Sequence, residues 1–360
     1  RSSSPATCCW RFKGAANPIL SGPESYSGLF RVMPNRPTAR IYRGTPRNLA
    51  FLARRLQAGE LVAVPTETVY GLAANVFDPA ACEKIFQAKD RPRTDPFIVH
   101  IHSLAELSVL CEVNDAALTL ARRFWPGPLT LVLPKTSAVP DIVTAGKPSV
   151  AVRMPSHPIF RRLLRRVRLP LAAPSANTFG YVSPTTAEHV RDGLGPKIRH
   201  ILDGGPARIG LESTILDLRE PRRPRLLRPG AITRSDLAKA LRQKIAPPPR
   251  QFGRSSKAQI APGQLARHYS PQTPVVVRER IKQARNPGEA YVYLRRPIRP
   301  PQGNVFWLDP KGSLSGAARR LFSTLRKLDR MGFVKINVEL ATGGGLAEAI
   351  NDRLRRAARR

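Results

Sequence analysis

The chain has 360 residues, 42% of them hydrophobic, enough for two domains with a sizeable buried core. Its 60 Lys and Arg against 25 Asp and Glu give a formal charge of +35, a field that attracts polyanions from nucleotides to RNA, although an arginine excess spread over solvated faces gives the same total. No apolar run approaches the ~20 residues of a membrane helix, and the four cysteines (Cys8, Cys9, Cys82, Cys111) lack metal-binding spacing, so the expectation is a cytoplasmic protein with reduced thiols and no membrane partner.

Residues 1–38 are rich in Ser, Gly and Pro and lack the long apolar core of a secretion signal. They read as a disordered extension, or as upstream sequence ahead of a start at Met33. Pro46 to Gly59 is an amphipathic helix with Leu49, Leu52, Ala53 and Leu56 on one face. The stretch Leu61 to His102 then reads as strand, polar turn, helix, basic loop, strand. Pro65 ends the first strand, hydroxyl-rich Thr66-Glu67-Thr68 follows, and Gly71 permits close backbone approach. Asp78-Pro79 starts a helix, with Asp as cap and Pro at the first position. Lys89, Arg91 and Arg93 sit in the Pro-broken loop beyond it, before a strand at Phe97–Ile101. Fixed cations at a helix end beside hydroxyls at a strand end suit an anionic ligand.

Ser103 to Glu106 is a capping box opening a helix, and Asn114 starts another that runs to Phe124. Strands follow at Leu129–Leu133, Ser149–Arg153 and Leu169–Ala173, with a basic helix at Pro158–Arg168. Ser183-Pro184 is expected to open a helix to Arg191. Strands at Ile201–Leu202, Thr214–Leu218 and Arg225–Leu227, with a helix from Thr233 to Ile245, complete an α/β domain over 39–245. Residues 246–272 have a linker's Pro, Gly and Ser content, but end in the cluster Arg267-His268-Tyr269-Ser270-Pro271. A smaller α/β domain fills 273–360, with a parallel-sheet pattern.

Phosphate-loop, nucleophile-elbow, HExxH and CxxC signatures do not occur. Cations and hydroxyls at strand ends remain: Thr66, Thr68, Lys89, Arg91, His100, Arg153, Ser175, Asn177, Ser183, Ser213 and Arg228. They suit a phosphorylated ligand beside a small zwitterion. Taken alone, each also has a plainer use: Ser183 as a helix cap, His100 as a core histidine, Lys89 and Arg91 as solvated charge, Tyr269 as domain packing.

The blocks PTETVYGLAAN, Lys89-Asp90-Arg91, DPFIVHI, FWPGPLTLVL, SVAVRMPSHP, APSAN, SPTTAEHV and ESTILDL together resemble the threonylcarbamoyl-AMP synthase family. They run in order over roughly 45–232. LLRPG, APGQLARHYSP and the closing INDRLRRAARR are similar to the long, two-domain form of that family. The resemblance implies a YrdC-like twisted mixed sheet with flanking helices, a smaller Rossmann-like α/β C-terminal domain, and residues 246–272 as a linker that lies over the site.

It also implies that threonine, bicarbonate and ATP yield threonylcarbamoyl-adenylate and pyrophosphate. The product is used, through a tRNA threonylcarbamoyl-transferase complex, to modify the adenosine beside the anticodon. Lys89 and Arg91 would be catalytic. Arg91, Asp95, Ser149, Ser175, Ser183, Arg228 and Tyr269 would take ATP, and Thr68, His100, Arg153, Ala173 (through its backbone) and Ser213 would take threonine. Thr66 and Asn177 would be their neighbours. No protein metal site is implied; Mg²⁺ would bridge phosphates. One position departs from the pattern: Asp95 stands where the family often has Asn, and a carboxylate beside a triphosphate repels it. Two rival readings are an RNA-binding module, suggested by the charge and the Arg161–Arg168 helix, and a carbamoyl-phosphate-using relative. In a hybrid of the first with the enzyme, the basic surface contacts tRNA.

Overall fold

Short apolar runs separated by capped amphipathic helices build a layered α/β structure; the computed structural model describes residues 39–248, 259–263, 268–298 and 303–359. The expected extension over 1–38 and the middle of the linker lie outside these residues. In chain order the elements are β1 (Arg40–Arg43), α1 (Pro46–Gln57), β2 (Val62–Val64), β3 (Gly71–Asn75), α2 (Pro79–Lys89), β4 (Ile98–His100), α3 (Leu107–Leu110), α4 (Asp115–Phe124), β5 (Leu129–Pro134), α5 (Asp141–Thr144), β6 (Ser149–Arg153) and α6 (Pro158–Val167). Next come β7 (Leu171–Ala172), α7 (Ala187–Leu194), β8 (His200–Asp203), β9 (Thr214–Asp217), β10 (Arg225–Arg228) and α8 (Arg234–Leu241). Beyond the linker lie β11 (Val275–Arg278), β12 (Glu289–Arg295), β13 (Val305–Asp309), α9 (Leu314–Asp329), β14 (Lys335–Glu339) and α10 (Leu346–Ala357).

The first ten strands form one mixed sheet, ordered β1-β8-β2-β3-β7-β4-β6-β5-β9-β10. The last four form a parallel sheet, β11-β14-β12-β13. Caps set the helix starts much as the sequence predicts: the Asp78 carboxylate accepts from the Ala80 and Ala81 amides, and the Asn114 side chain from Ala117. Two segments behave otherwise. The helix expected from Ser183 starts at Ala187 instead, capped by Thr186, because the Ser183 hydroxyl is engaged elsewhere. The Ser103 box opens only a 3-10 turn and the one-turn α3. Strands β1 and β3 add to those expected; Gly-Leu-Ala-Ala-Asn lacks the β-branched residues that mark a strand.

Alternation along the central strands sorts side chains to two faces. Val99, Val152 and Ala172 point into the larger core beneath α2, α4, α7 and α8. Ile98, His100, Ala151, Arg153, Leu171 and Ala173 point to the other face, which α1 and α6 cover in part. There Leu49, Leu52 and Leu56 of α1 meet Phe160, Leu163 and Leu164 of α6. The uncovered remainder of that face is where the polar strand ends converge. No described helix is long and apolar enough to cross a membrane.

Leu52 is fully buried between α1 and the sheet. Leu52→Ala is expected to lower unfolding free energy by about 2–5 kcal/mol, read as a shift in the denaturant midpoint at unchanged slope.

Candidate functional site

The loop between β2 and β3 forms one wall of the site, and its hydroxyls explain its shape. The Thr66 hydroxyl donates to the Val69 carbonyl (2.6 Å) and accepts from the Thr68 and Val69 amides, a tight hydroxyl-closed turn. Tyr70 continues the wall, its amide donating to the Pro184 carbonyl. Gly71 then passes so close to β7 that an added Cβ would lie 3.3 Å from Ala173 Cβ.

A cavity of about 50 Å³ lies against this loop, lined by Thr68, His100, Arg153, Ala173 and Ser213, with Arg91, Ser175, Arg228 and Tyr269 on the same lining. All five residues expected to hold the zwitterion are therefore together, with four of those expected at the nucleotide. Thr66 lines the cavity as well. Lys89, Asp95, Ser149, Ser183 and Asn177 stand just behind it or beyond it. The buried Lys89 ammonium donates to the carbonyls of Ser175 and Asn177, holding that loop from beneath. The Ser149 hydroxyl is buried without a hydrogen-bond partner at the start of β6. The Ser183 hydroxyl donates to Glu212 at 2.6 Å.

Three buried carboxylates set the electrostatics, and two of them escaped the sequence reading. Arg153 donates through Nε to the Gly127 carbonyl and through Nη1 to the Thr68 hydroxyl, while Nη2 lies 2.7 Å from Glu67. Burial disfavours the ionised Glu67 carboxyl, but the adjacent Arg153 charge holds it below the usual carboxylate range. Glu212 is the second, between Ser183 and Arg353 of α10 (2.8 Å). An acidic residue inside an apolar, hydroxyl-rich run such as PTETVYG or LESTIL signals a buried cation partner. The sequence does not say which one.

Asp95 is the third. It lies 3.0 Å from the Arg91 guanidinium, which also donates to the Asp95 and Pro96 carbonyls. Burial raises the Asp95 pKa, and Arg91 opposes that rise. Its carboxylate thus serves the arginine rather than facing the cavity, which answers the repulsion expected of an acid here.

Burial lowers the pKa of Lys89, with Arg91 adding to the effect, and lowers that of Arg228. Burial, then Arg153, brings His100 down to about 3, and its Nδ1 sits 3.2 Å from the Ile98 carbonyl. The imidazole is therefore neutral near pH 7, with Nδ1 donating and Nε2 able to accept.

The linker closes the site. Pro262, Gly263, His268 and Tyr269 all line the cavity. Gly263 has a left-handed φ of 75°, and an added Cβ would sit 3.1 Å from Arg228 Nη1 and from the Tyr269 hydroxyl. Arg356 of α10 donates to the Gly263 carbonyl. Tyr269 stacks on Phe322 of α9 with centroids 5.5 Å apart, so it packs the domains together as well as lining the cavity. A volume of about 50 Å³ is far below the ~300–1,000 Å³ of ordinary ligand pockets. As it stands the cavity is smaller than a nucleotide. Among the described residues no cluster of three or more His, Cys, Asp or Glu is placed to hold a metal.

Two family models match the chain: one described as "Telomere recombination" (Sua5_yciO_yrdC) over residues 54–230, and "Threonylcarbamoyl-AMP synthase, C-terminal domain" over 232–359. Threonylcarbamoyl-AMP synthase of Pyrococcus abyssi is 43% identical over 315 residues, covering 84% of this chain and 91% of that protein. The Bacillus subtilis synthase is 46% identical over 235 residues, covering 64% and 66%. The crystal structure of P. abyssi Sua5 complexed with L-threonine superposes with a TM-score of 0.81 at 39% identity, covering 89% of this chain and 98% of that one. A variant of that protein with a His and a Tyr changed to Ala gives 0.79.

His100 and His189 have pKa values lowered by burial to about 3 and about 4, against 6.5 for a free imidazole. The unfolded chain takes up these protons on acidification and the folded chain does not. Stability present above pH 6.5 is therefore lost as the pH falls toward 4, at up to about 1.4 kcal/mol per pH unit per histidine. Thermal melts between pH 7 and 4 should show a falling midpoint; a flat profile would refute the neutral assignment.

Proposed function

Because this chain belongs to the threonylcarbamoyl-AMP synthase family in its two-domain form, we propose that it joins L-threonine, bicarbonate and ATP into threonylcarbamoyl-adenylate and releases pyrophosphate. In this reading the product modifies the adenosine beside the anticodon of tRNA through a downstream threonylcarbamoyl-transferase complex. The observation that carries the proposal is one cavity whose lining combines Arg153 and hydroxyls with two further buried arginines, Arg91 and Arg228.

The chemistry matches what such a lining supplies. The threonine amine adds to bicarbonate and loses water, giving a carbamate, and a carbamate oxygen attacks the α-phosphorus as pyrophosphate leaves. The step is a nucleotidyl transfer in which no side chain forms a bond. Catalysis rests on holding two anions together and spreading phosphate charge. Arg153 supplies the positive charge for the amino-acid carboxylate through the N–H groups that Gly127, Thr68 and Glu67 leave over, and Thr68, the Ala173 backbone and Ser213 surround the rest. Neutral His100 offers an acceptor without adding charge. Arg91, Arg228 and Ser175 meet the phosphates, and Lys89 adds positive charge from beneath the Ser175–Asn177 loop. Ser149 and Ser183, which stand outside the cavity lining, would take the nucleoside end in this reading, and Tyr269 would cover the nucleotide. Asp95 acts on ATP only through Arg91. Mg²⁺ arrives with ATP, keeping most of its water. That the P. abyssi relative was crystallised in complex with L-threonine supports threonine as a substrate in this reading.

Pyrophosphate release should require threonine and bicarbonate together. Release that persists when either is omitted would sink the proposal, and would point to a simple ATPase. Arg91→Ala and Lys89→Ala should each slow the reaction by about 100-fold, the scale of losing one charge stabiliser; near-parent turnover in both would remove their role.

Glu67 lies behind Arg153 and does not line the cavity, so it acts by positioning that guanidinium. Glu67→Gln should raise the threonine KM about tenfold or more while the ATP KM holds, on the scale of one charge-assisted hydrogen bond. Equal loss for both substrates would mark a purely structural role.

A further inference from the structure

We propose, resting on the synthase reading for the identity of the ligands, that Arg353 of α10 is a positioning residue for the cavity. Through it the C-terminal domain keeps the nucleotide side of the site free of stranded negative charge. Glu212 lines the cavity and is only 6% exposed. A carboxylate there faces the space that a polyphosphate must share, so its charge has to be cancelled locally. Among the described residues no cation but Arg353 lies within ion-pair distance of Glu212, with Nε 2.8 Å away. That arginine is fully buried and comes from the other domain, 141 positions along the chain.

Arg353 is itself held in place. Its Nη1 donates to Asp352 at 2.7 Å, and its guanidinium lies over the Tyr269 ring, 5.3 Å from the centroid. Glu212 passes that order on, accepting the Ser183 hydroxyl at 2.6 Å. With that proton committed, the Ser183 oxygen can only accept from a ligand. The backbone at Ser183 is gripped from the same domain: Arg326 of α9 donates through Nε to the Ser183 carbonyl and through Nη2 to the Val182 carbonyl.

The segments that carry these groups are seated on the C-terminal domain. Val182 and Leu211 are buried in the apolar core that α9 and α10 build. Gly210 has a left-handed φ of 80° and passes so close to α9 that an added Cβ would lie 2.5 Å from Arg319 Cα. Arg319 also donates to the Arg208 carbonyl at 3.1 Å. The run from Arg208 to Ser213 thus enters the cavity with its path set by α9 and its charge balanced by α10. Arg353 does not line the cavity, so it acts through Glu212. ATP carries several negative charges and zwitterionic threonine carries no net charge. An unpaired Glu212 therefore penalises the first ligand far more than the second.

Calorimetric titration of ATP and of L-threonine into full-length proteins tests the inference. The parent, Arg353→Met and the double variant Glu212→Gln/Arg353→Met are compared. Arg353→Met strands the carboxylate and should weaken ATP binding about tenfold or more, the scale of one unpaired buried charge, while the threonine Kd stays within about threefold. The double variant removes both charges and leaves a Gln oxygen for Ser183, so it should recover most of the ATP affinity. A double variant as weak as Arg353→Met, or equal losses for both ligands, would reduce Arg353 to domain packing and overturn the inference. Should Arg353→Met fail to fold by circular dichroism, the double variant decides: one that is unfolded too, or binds ATP about tenfold more weakly than the parent, overturns it equally. A parent that binds no ATP does the same. Pyrophosphate release by the parent, assayed with threonine and bicarbonate, separates the two readings. If the parent releases none yet the ATP pattern holds, the synthase reading fails and the role of Arg353 stands.

Discussion

Everything at the centre of this protein depends on one constraint: charges taken out of water must find partners there. Three buried carboxylates each secure one arginine, Glu67 with Arg153, Asp95 with Arg91 and Glu212 with Arg353. Two more buried cations rest on backbone oxygens instead, Lys89 on Ser175 and Asn177, and Arg228 on Ser213. Carbonyl dipoles orient a cation without cancelling its charge. These five cations against three carboxylates leave the cluster with an excess of basic groups, which suits anionic ligands. It also accounts for the missing nucleophile. A site that works by neutralising charge and fixing distance needs no reactive side chain.

Most of the fold was legible because it is written in local signals. Caps at Asp78, Asn114 and Thr233, the leucine stripe of Leu49, Leu52 and Leu56, and the strand SVAVR each settle their segment without help from elsewhere. Where reading failed, a long-range partner had decided. Ser183 looks like a helix cap beside Pro184, but Glu212, 29 positions away, takes its hydroxyl and the cap falls three residues later, on Thr186, with the helix starting at Ala187. The two acids Glu67 and Glu212 were passed over for the same reason. Their meaning lies in arginines 86 and 141 positions distant, which periodicity cannot reach. Strand β3 pairs with both β2 and β7, so its neighbours rather than its own propensities make it extended.

The linker's position follows from the same charge logic. Pro262 and Gly263 enter a cavity rich in cations and bring no charge of their own, and the backbone carbonyl of Gly263 meets Arg356. A neutral segment can leave without stranding a buried ion pair, because Glu212 and Arg353 remain bonded to each other across the domains. Tyr269 is the less mobile end. Its ring is gripped by Phe322, by His268 and by the Arg353 guanidinium 5.3 Å from its centroid. The Ala261–Gly263 turn is thus held to the cavity by fewer aromatic contacts than Tyr269.

The placement of charge outside the site carries a related lesson. Arginines within the cavity are fixed by carboxylates or carbonyls, whereas the exposed arginines of α1 and α6 have no carboxylate within reach among the described residues. The first arrangement selects a small ligand by geometry, at close range and with little dependence on salt. The second has no geometry to impose, and attracts over about a Debye length.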